Sequence, residues 1–346
     1  MKEPLISIII LNYNAGKLLD DCINSIFQQA YKNIEVIIVD NLSTDNSHIE
    51  CKKKFPDIIL IENKKNLGYC GGNNVGIKAA NGEFVIILNP DTIVEKRFVY
   101  ELLNAYENKG RGLYQPKILS IEDKKIIQST GNMIHIFGFG FARDKGKMDL
   151  EQYTEISQVG YASGTCLFSS KTIFEELNYF DEFLFLYHDD LDIGWRAAQK
   201  GIKSFFVPKA VIFHAESYSL KWSKAKFYWL ERNRKYCLLT HFSNDTLKKM
   251  KINLVLTEIL VWVFYLVKGY LRVKINAEKS LRDNKDFIKG KQIEIEKNKI
   301  VSDIELINSF PDKIEVPKNV SDGIEGKIFL KILEFLSKQQ KQKFRT

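Results

Sequence analysis

The sequence predicts an α/β fold, a mostly parallel sheet flanked by helices with a helical extension at the C-terminal end. Three observations carry that expectation. Over residues 1–115 short apolar runs alternate with helix-period segments, those runs are apolar on both faces, and from Trp222 onward the composition turns helical and basic. Strands buried on both faces and separated by helices pair in parallel through right-handed crossovers.

In chain order, strand-like runs occupy 6–11, 35–40, 58–62 and 84–88. Residues 16–30, 45–55 and 71–80 read as helices, the second capped by Ser43, Thr44 or Asp45. After Arg97 the pattern loosens. Residues 118–141 alternate and contain several glycines, as antiparallel hairpins do, and 145–154 is polar and reads as a mobile loop. Order returns at 160–170, with a helix over 189–200 and strands at 204–207 and 211–214. Helical, basic sequence then runs to about Lys291. Residues 301–321, with Pro311 and Pro317, read as a linker before a last amphipathic helix at 327–340. The expected domains are one over 1–221, divided near residue 115, and a basic helical module over 222–346.

The 346 residues, 45% hydrophobic and 27% charged, suffice for one large domain and an appended module. Residues 222–346 hold 26 Lys/Arg and 15 Asp/Glu, a net of +11, against −3 over 1–221. A basic tail on a near-neutral front half suits an anionic partner, either nucleic acid or an anionic membrane surface. The tail lacks the interleaved aromatic and basic platform that reads single strands, which argues against nucleic acid. Five widely spaced cysteines without a C-x-x-C exclude a disulfide framework and a zinc site, and fit a reducing cytosol. The N-terminal apolar run is too short for a signal peptide. The best membrane candidate, 254–267, is about 14 residues long, short of the roughly 20 that span a bilayer, and reads as a buried or interfacial helix.

Ligands of open parallel sheets bind beyond the carboxyl ends of the strands, which directs attention to Asn12, Tyr13, Asn14, Asp40 and Asn89–Asp91. Asp40 closes the second strand in Val39-Asp40-Asn41-Leu42-Ser43-Thr44-Asp45, where a carboxylate can accept from a pyrimidine N–H or a ribose hydroxyl. Leu88-Asn89-Pro90-Asp91-Thr92 ends the fourth strand, and a hard divalent cation takes one or two carboxylates together with substrate phosphates. Asn66-Leu67-Gly68-Tyr69-Cys70-Gly71-Gly72-Asn73-Asn74 joins a glycine loop to a helix start, a place for anions or for close backbone approach. Adjacent Asp189 and Asp190 repel each other, which can hold one of them at a useful basicity. Asp192 and Arg196 pair one turn apart, and Asp190 is the candidate base. His214, ending a strand, offers an imidazole to a metal.

Taken in this order, the segments resemble the family 2 glycosyltransferases, and within them the rhamnosyltransferase and galactofuranosyltransferase branch. The resemblance covers about residues 4–220 and implies that 1–221 is the catalytic domain, with a nucleotide-binding half at about 1–115 and an acceptor half at about 116–221. It implies a GT-A fold and an inverting transfer with Mg²⁺ or Mn²⁺. Asp40 would contact the nucleotide, Asp91 and His214 would hold the metal, and Asp190, beside Asp189, would be the base. Candidate donor contacts are Asn12, Tyr13, Asn14, Asp40, Asn66, Gly68, Gly72, Asn73, Asn89 and Asp91. The family's usual D-x-D stands here as Asn89-Pro90-Asp91, and its frequent Glu-Asp as Asp189-Asp190.

The expected reaction moves a sugar from dTDP-rhamnose or a UDP-hexose to a hydroxyl of a glycan or lipid-linked acceptor, in polysaccharide or cell-envelope biosynthesis. The expected location is cytoplasmic, or peripheral on the cytoplasmic membrane face, with a homodimer left open. A nucleotidyltransferase would need a glycine-rich basic loop after the first strand, where Asn12-Tyr13-Asn14-Ala15-Gly16 stands. A non-catalytic nucleotide-sugar-binding or scaffold subunit would be expected to lose Asp91 or Asp190, and both are present.

Overall fold

The computed structural model describes residues 3–215, 223–316 and 324–345; Lys221, Trp222 and Pro317 lie outside them. The chain divides into two compact units, one of residues 1–132, 143–197 and 202–219, the other of residues 133–142, 198–201 and 220–346.

In the first unit, strands β1 (Ile6–Asn12), β2 (Ile34–Asp40), β3 (Ile59–Glu62) and β4 (Phe84–Leu88) are parallel, in the spatial order β3-β2-β1-β4. Helices α1 (Lys17–Phe27), α2 (Ser47–Lys54) and α3 (Gly68–Ala79) connect them. Alternation along β1 builds both faces. Ile6, Ile8 and Ile10 enter the core with Leu19, Cys22, Ile23 and Ile26 of α1. Ile9 and Leu11 point the other way, under α3. That helix lies close because Gly72 and Gly76 have no side chain: a Cβ at either would collide with Leu11 or Ile9.

Beyond β4 the sheet becomes mixed. Strand β5 (Thr92–Val94) and helix α4 (Phe98–Lys109) lead into β6 (Gly112–Ser120) and β7 (Ile127–Ser129). Strands β8 (Asn132–Ile134) and β9 (Gly140–Ala142) form a separate ribbon. β10 (Ser157–Val159), β11 (Cys166–Ser170), helix α5 (Lys171–Glu176), helix α6 (Asp189–Gln199) and β12 (Lys203–His214) complete the set. β11 is antiparallel to β4, and β12 runs parallel to β6.

Several expectations are corrected here. The strands foreseen at 204–207 and 211–214 are one strand, irregular between Val207 and Val211, where Pro208 can give no N–H to the ladder. β6 went unseen because Gln115 and Lys117 interrupt its apolar run. Both are buried and satisfied, Gln115 by Ser129 and the Ser163 N–H, Lys117 by Asp149 at 2.6 Å. That ion pair also anchors the stretch read as a mobile loop, where Asp144 takes Lys147 and the Tyr153 hydroxyl. α2 begins at Ser47, and none of its foreseen caps caps it. Asp45 accepts from the Ser47 N–H, while Ser43 turns toward β1.

The C-terminal part of the second unit contains α7 (Lys224–His241), α8 (Asn244–Val267), α9 (Leu271–Asp283), α10 (Lys285–Asn298), α11 (Asp303–Ser309) and α12 (Ile324–Arg345). α11, capped by Ser302, occupies part of the foreseen linker. Arg234, Lys235 and Lys274 interleave with Glu231, Glu258 and Glu278 and tie α7, α8 and α9 together. Burial would push the Glu258 carboxyl up, but Arg234, Lys274 and Lys235 outweigh it and hold it far below the usual carboxylate range.

The length assigned to the apolar 254–267 run is also corrected. The helix that carries it has 24 residues, with a mean hydropathy of 1.8 over its most apolar 18, and is long and apolar enough to cross a membrane by length and composition. Glu258, in its middle, turns inward to the ion network. On the outer face Ile252, Val255, Leu256, Ile259, Val263, Leu266 and Val267 are exposed at helical spacing. In α12 the foreseen apolar face divides: Leu333 and Leu336 are buried, Ile328 and Phe335 exposed.

Candidate active site

The strand order places the candidate residues. β1 has β2 on one side and β4 on the other, so the strand order reverses across β1, with α1 on one face of the sheet and α3, which leads into β4, on the other; ligands of such sheets bind in the crevice beyond the strand carboxyl ends at the reversal. Register brings those ends level: Asn12 stands beside Asp40, and Ile10 beside Leu88.

At the β1–β2 end, Asn12 donates its amide to Asp40 at 2.8 Å, to Ser47 at 3.0 Å and to Ser43 at 3.1 Å. Asp40 also accepts the Ser43 N–H, and His48 Nδ1 lies 3.3 Å from it. Asn14, at φ 54°, holds Thr44 through its side chain. Asn12 and Asp40 are buried, whereas Tyr13 is 46% exposed. Ser43, Ser47 and His48 were not singled out from sequence. Ser43 was read as a helix cap, and nothing in the spacing of α2 turns His48 toward the strand.

The glycine loop is tied to the same end. Asn41 donates to the Gly68 carbonyl at 2.9 Å and accepts from Asn63, and Asn66 accepts the Gly68 N–H. Gly68 has φ +70°, and a Cβ there would strike Phe185. Gly72 lies against Leu11, and Asn73 is buried with Oδ1 unpartnered.

One short segment links this loop to the paired aspartates. The Gly164 carbonyl accepts the Tyr69 hydroxyl at 2.5 Å, and its N–H donates to Asp190 at 2.9 Å. The next residue, Thr165, accepts the Asn89 N–H at 3.0 Å, which joins the β4 end to the same segment. Before α6 the chain holds Phe185, Tyr187 and His188 at φ between 61° and 65°, a strained run that delivers Asp189 and Asp190. Asp189 is buried; Asp190 is half-buried. Burial, and then the Asp190 charge, push the Asp189 carboxyl far above its ordinary range. Burial also raises Asp190, against the opposing pull of the Gly164 and Leu191 N–H groups. Asp192 pairs with Arg196, as expected.

Asp91 and His214 meet at the β4 end. β12 pairs with β5 so that His214 faces Thr92, and the Ala215 N–H binds the Asp91 carbonyl. His214 Nε2 lies 3.3 Å from Asp91 Oδ2. Asp91 Oδ1 is buried without a hydrogen-bond partner, a costly state for a carboxylate oxygen. A carboxylate and an imidazole with an orphaned oxygen between elements fit a divalent cation that keeps room for substrate phosphate oxygens. All of these residues belong to the first unit.

Comparison with solved structures agrees with this architecture. Residues 1–349 of S. aureus TarS in complex with UDP-GlcNAc match over 98% of this chain and 92% of theirs, with TM-score 0.54 and 17% identity. GalNAc-T7 with UDP, GalNAc and Mn²⁺ matches over 73% of this chain and 51% of its own, with TM-score 0.59 and 16% identity. The fold is that of the GT-A glycosyltransferases.

The sequence profile of glycosyl transferase family 2 matches residues 7–177. A low-salt glycan biosynthesis hexosyltransferase, Agl10 of Haloferax volcanii, is 28% identical over 204 residues, 57% of this chain and 62% of that protein. The chain thus spans less than two thirds of that relative. An N-acetylglucosaminyl-diphospho-decaprenol L-rhamnosyltransferase of Mycobacterium tuberculosis is 25% identical over 237 residues, 62% of this chain and 77% of its own length. Residues 7–177 belong to glycosyl transferase family 2.

The raised carboxyls make a prediction about stability. Asp189 binds its proton more tightly folded than unfolded, so its contribution is fully present below the unfolded value near 3.9 and is lost as pH rises through the folded one. Asp189→Asn should therefore melt higher than the native chain at pH 7, with the difference closing below about pH 4. Equal melting temperatures at pH 7, or a lower one for the variant, would contradict the burial of that charge.

Proposed function

We propose that the protein transfers a sugar from a nucleotide-diphosphate sugar to a hydroxyl acceptor with inversion at the anomeric carbon. The observation that carries this reading is the orphaned Asp91 oxygen beside His214, at the sheet end that the Gly164 segment links to a half-buried, proton-avid Asp190. Asp40, with Tyr13, Asn14 and the Asn66–Gly68 turn, would line the nucleotide. Asn12, Gly72 and Asn73 are buried and would shape that wall, and Asn89 would hydrogen-bond the donor without adding charge. Asp91 and His214 would hold Mg²⁺ or Mn²⁺, which when bound supplies counter-charge to the diphosphate.

Asp190 would accept the acceptor's hydroxyl proton. As the acceptor oxygen bonds to the anomeric carbon, the bond from that carbon to the diphosphate oxygen breaks, and the nucleoside diphosphate leaves with its electron pair. Asp189, buried and held at high basicity, keeps a second negative charge away from the base. The M. tuberculosis relative is named for a rhamnosyl donor and a polyprenol-linked acceptor, and TarS is solved with UDP-GlcNAc. These names favour dTDP-rhamnose or a UDP-hexose as donor and a lipid-linked or glycan acceptor.

Turnover of a panel of nucleotide sugars should stop in excess EDTA and in Asp91→Ala. Asp190→Asn should lower kcat by roughly 10²–10⁴-fold, the usual loss for a general base, with donor affinity little changed. Full turnover in EDTA removes the metal from the account, and an Asp189→Asn loss far exceeding that of Asp190→Asn reassigns the base.

A lipid-linked acceptor also gives the helical unit a purpose: peripheral docking on an anionic, cytoplasmic membrane face. The exposed stripe on α8 is bracketed by exposed Lys248, Lys249 and Lys251 at one end and by Lys268 and Arg272 at the other, the composition by which an interfacial helix holds anionic lipid. The full chain should float with phosphatidylglycerol vesicles at low salt and release as salt rises, whereas the Ile259→Glu/Val263→Glu chain should stay in the soluble fraction. A native chain that ignores the vesicles, or a variant that floats equally, excludes this docking. A variant that turns from dimer to monomer assigns the stripe to a second copy instead.

A further inference from the structure

We propose that Gln128 is a positioning residue that fixes the tautomer and direction of His214 for metal capture. The inference rests on the metal reading above and adds a residue to it. Gln128 lies on β7, and its side chain grips one residue at two points. Its Oε1 lies 2.6 Å from His214 Nδ1, and its Nε2 donates to the His214 carbonyl oxygen at 2.9 Å. The second bond settles the orientation of the amide, because a carbonyl oxygen only accepts and the group facing it must be the NH₂. The oxygen is therefore the atom turned to the imidazole, and an amide oxygen also only accepts. The ring nitrogen that meets it must carry hydrogen.

In a neutral imidazole, a proton on Nδ1 leaves the lone pair on Nε2. That nitrogen is the one aimed at Asp91 Oδ2, 3.3 Å away, beside the unpartnered Oδ1. Two lone-pair-bearing ligand atoms thus face one another across a gap that a cation would fill. Without Gln128 the ring could place its proton on Nε2 and donate to Asp91, which satisfies both groups and closes the metal site. The sheet supplies the reach. β7 pairs with β6 through a shifted register, β6 pairs with β12, and His214 stands level with Ser120, so Gln128 spans the width of one strand. A hydrogen-bond partner on the far ring nitrogen is the usual means by which proteins orient a ligating histidine, and its loss commonly lowers metal affinity 10–100-fold.

Two readouts on the full chain test this. The first is the ¹⁵N signature of the His214 ring in metal-free protein at about pH 8.5, where an ordinary imidazole is neutral. The second is Mn²⁺ affinity measured by calorimetry without any sugar donor. The native chain should show the Nδ1–H tautomer and bind Mn²⁺. Gln128→Met should shift the ring toward Nε2–H and weaken Mn²⁺ binding by roughly 10–100-fold. Gln128→Glu keeps an acceptor at Nδ1 and should retain both the tautomer and the affinity. A native ring in the Nε2–H form overturns the assignment even if no variant folds, as does a Gln128→Met chain with unchanged tautomer and affinity. A native chain with the expected tautomer that binds no Mn²⁺ defeats the metal reading, and the purpose given to Gln128 with it.

Discussion

The site depends on the register of β1 against its two parallel neighbours. Pairing Asn12 with Asp40 and Ile10 with Leu88 brings three strand ends to one level, at the reversal of strand order beyond which ligands of open α/β sheets bind. A slip of one residue would carry Ile6, Ile8 and Ile10 from the α1 face to the α3 face, where Gly72 and Gly76 are fitted to Leu11 and Ile9, so packing on both faces enforces the register. Functional geometry here follows from hydrophobic burial, and the polar network fixes the loops afterwards.

That network is short. Asn41 ties the glycine turn to β2, and the Gly164 peptide joins Tyr69 to Asp190. Thr165 joins the end of β4, and the Ala215 N–H closes β12 onto Asp91. Most buried polar atoms in this region are satisfied. Three of the exceptions, Asp91 Oδ1, Asn12 Oδ1 and Asn73 Oδ1, fall at residues that the sequence offers as donor or metal contacts. An unpaired buried oxygen costs on the order of 1–3 kcal/mol, and a ligand that satisfies it recovers that cost on binding.

The parallel half of the fold was legible because its signals are local and consistent. Apolar runs of strand length, helix-period segments and an acidic residue at a strand end all point to one arrangement. Beyond Arg97 the signals conflict. β6 carries Gln115 and Lys117 into the core, and they are acceptable there only because Ser129, Ser163 and Asp149 arrive from elsewhere in the chain. The site divides in the same way. Asp40, Asp91, Asp190 and His214 announce themselves by chemistry and position. Ser47, His48, Tyr69 and Gln128 act through contacts made only by folding, 35 residues apart for Asn12 and Ser47, and 86 for Gln128 and His214. The apolar run 254–267 is legible as an interfacial helix, but the full length of α8 is not, because the helix begins at the polar Asn244 and turns its one central acid inward.

The proposed chemistry turns on a divalent cation held by Asp91 and His214 against the donor diphosphate. Crystals of the full chain grown with Mn²⁺ and a nucleoside diphosphate, measured at the manganese absorption edge, test it most directly. One strong anomalous peak is expected in contact with an Asp91 carboxylate oxygen, His214 Nε2 and the diphosphate oxygens. A diphosphate bound in the crevice with no manganese at Asp91, or with manganese only among Glu231, Glu258 and Glu278, would contradict it.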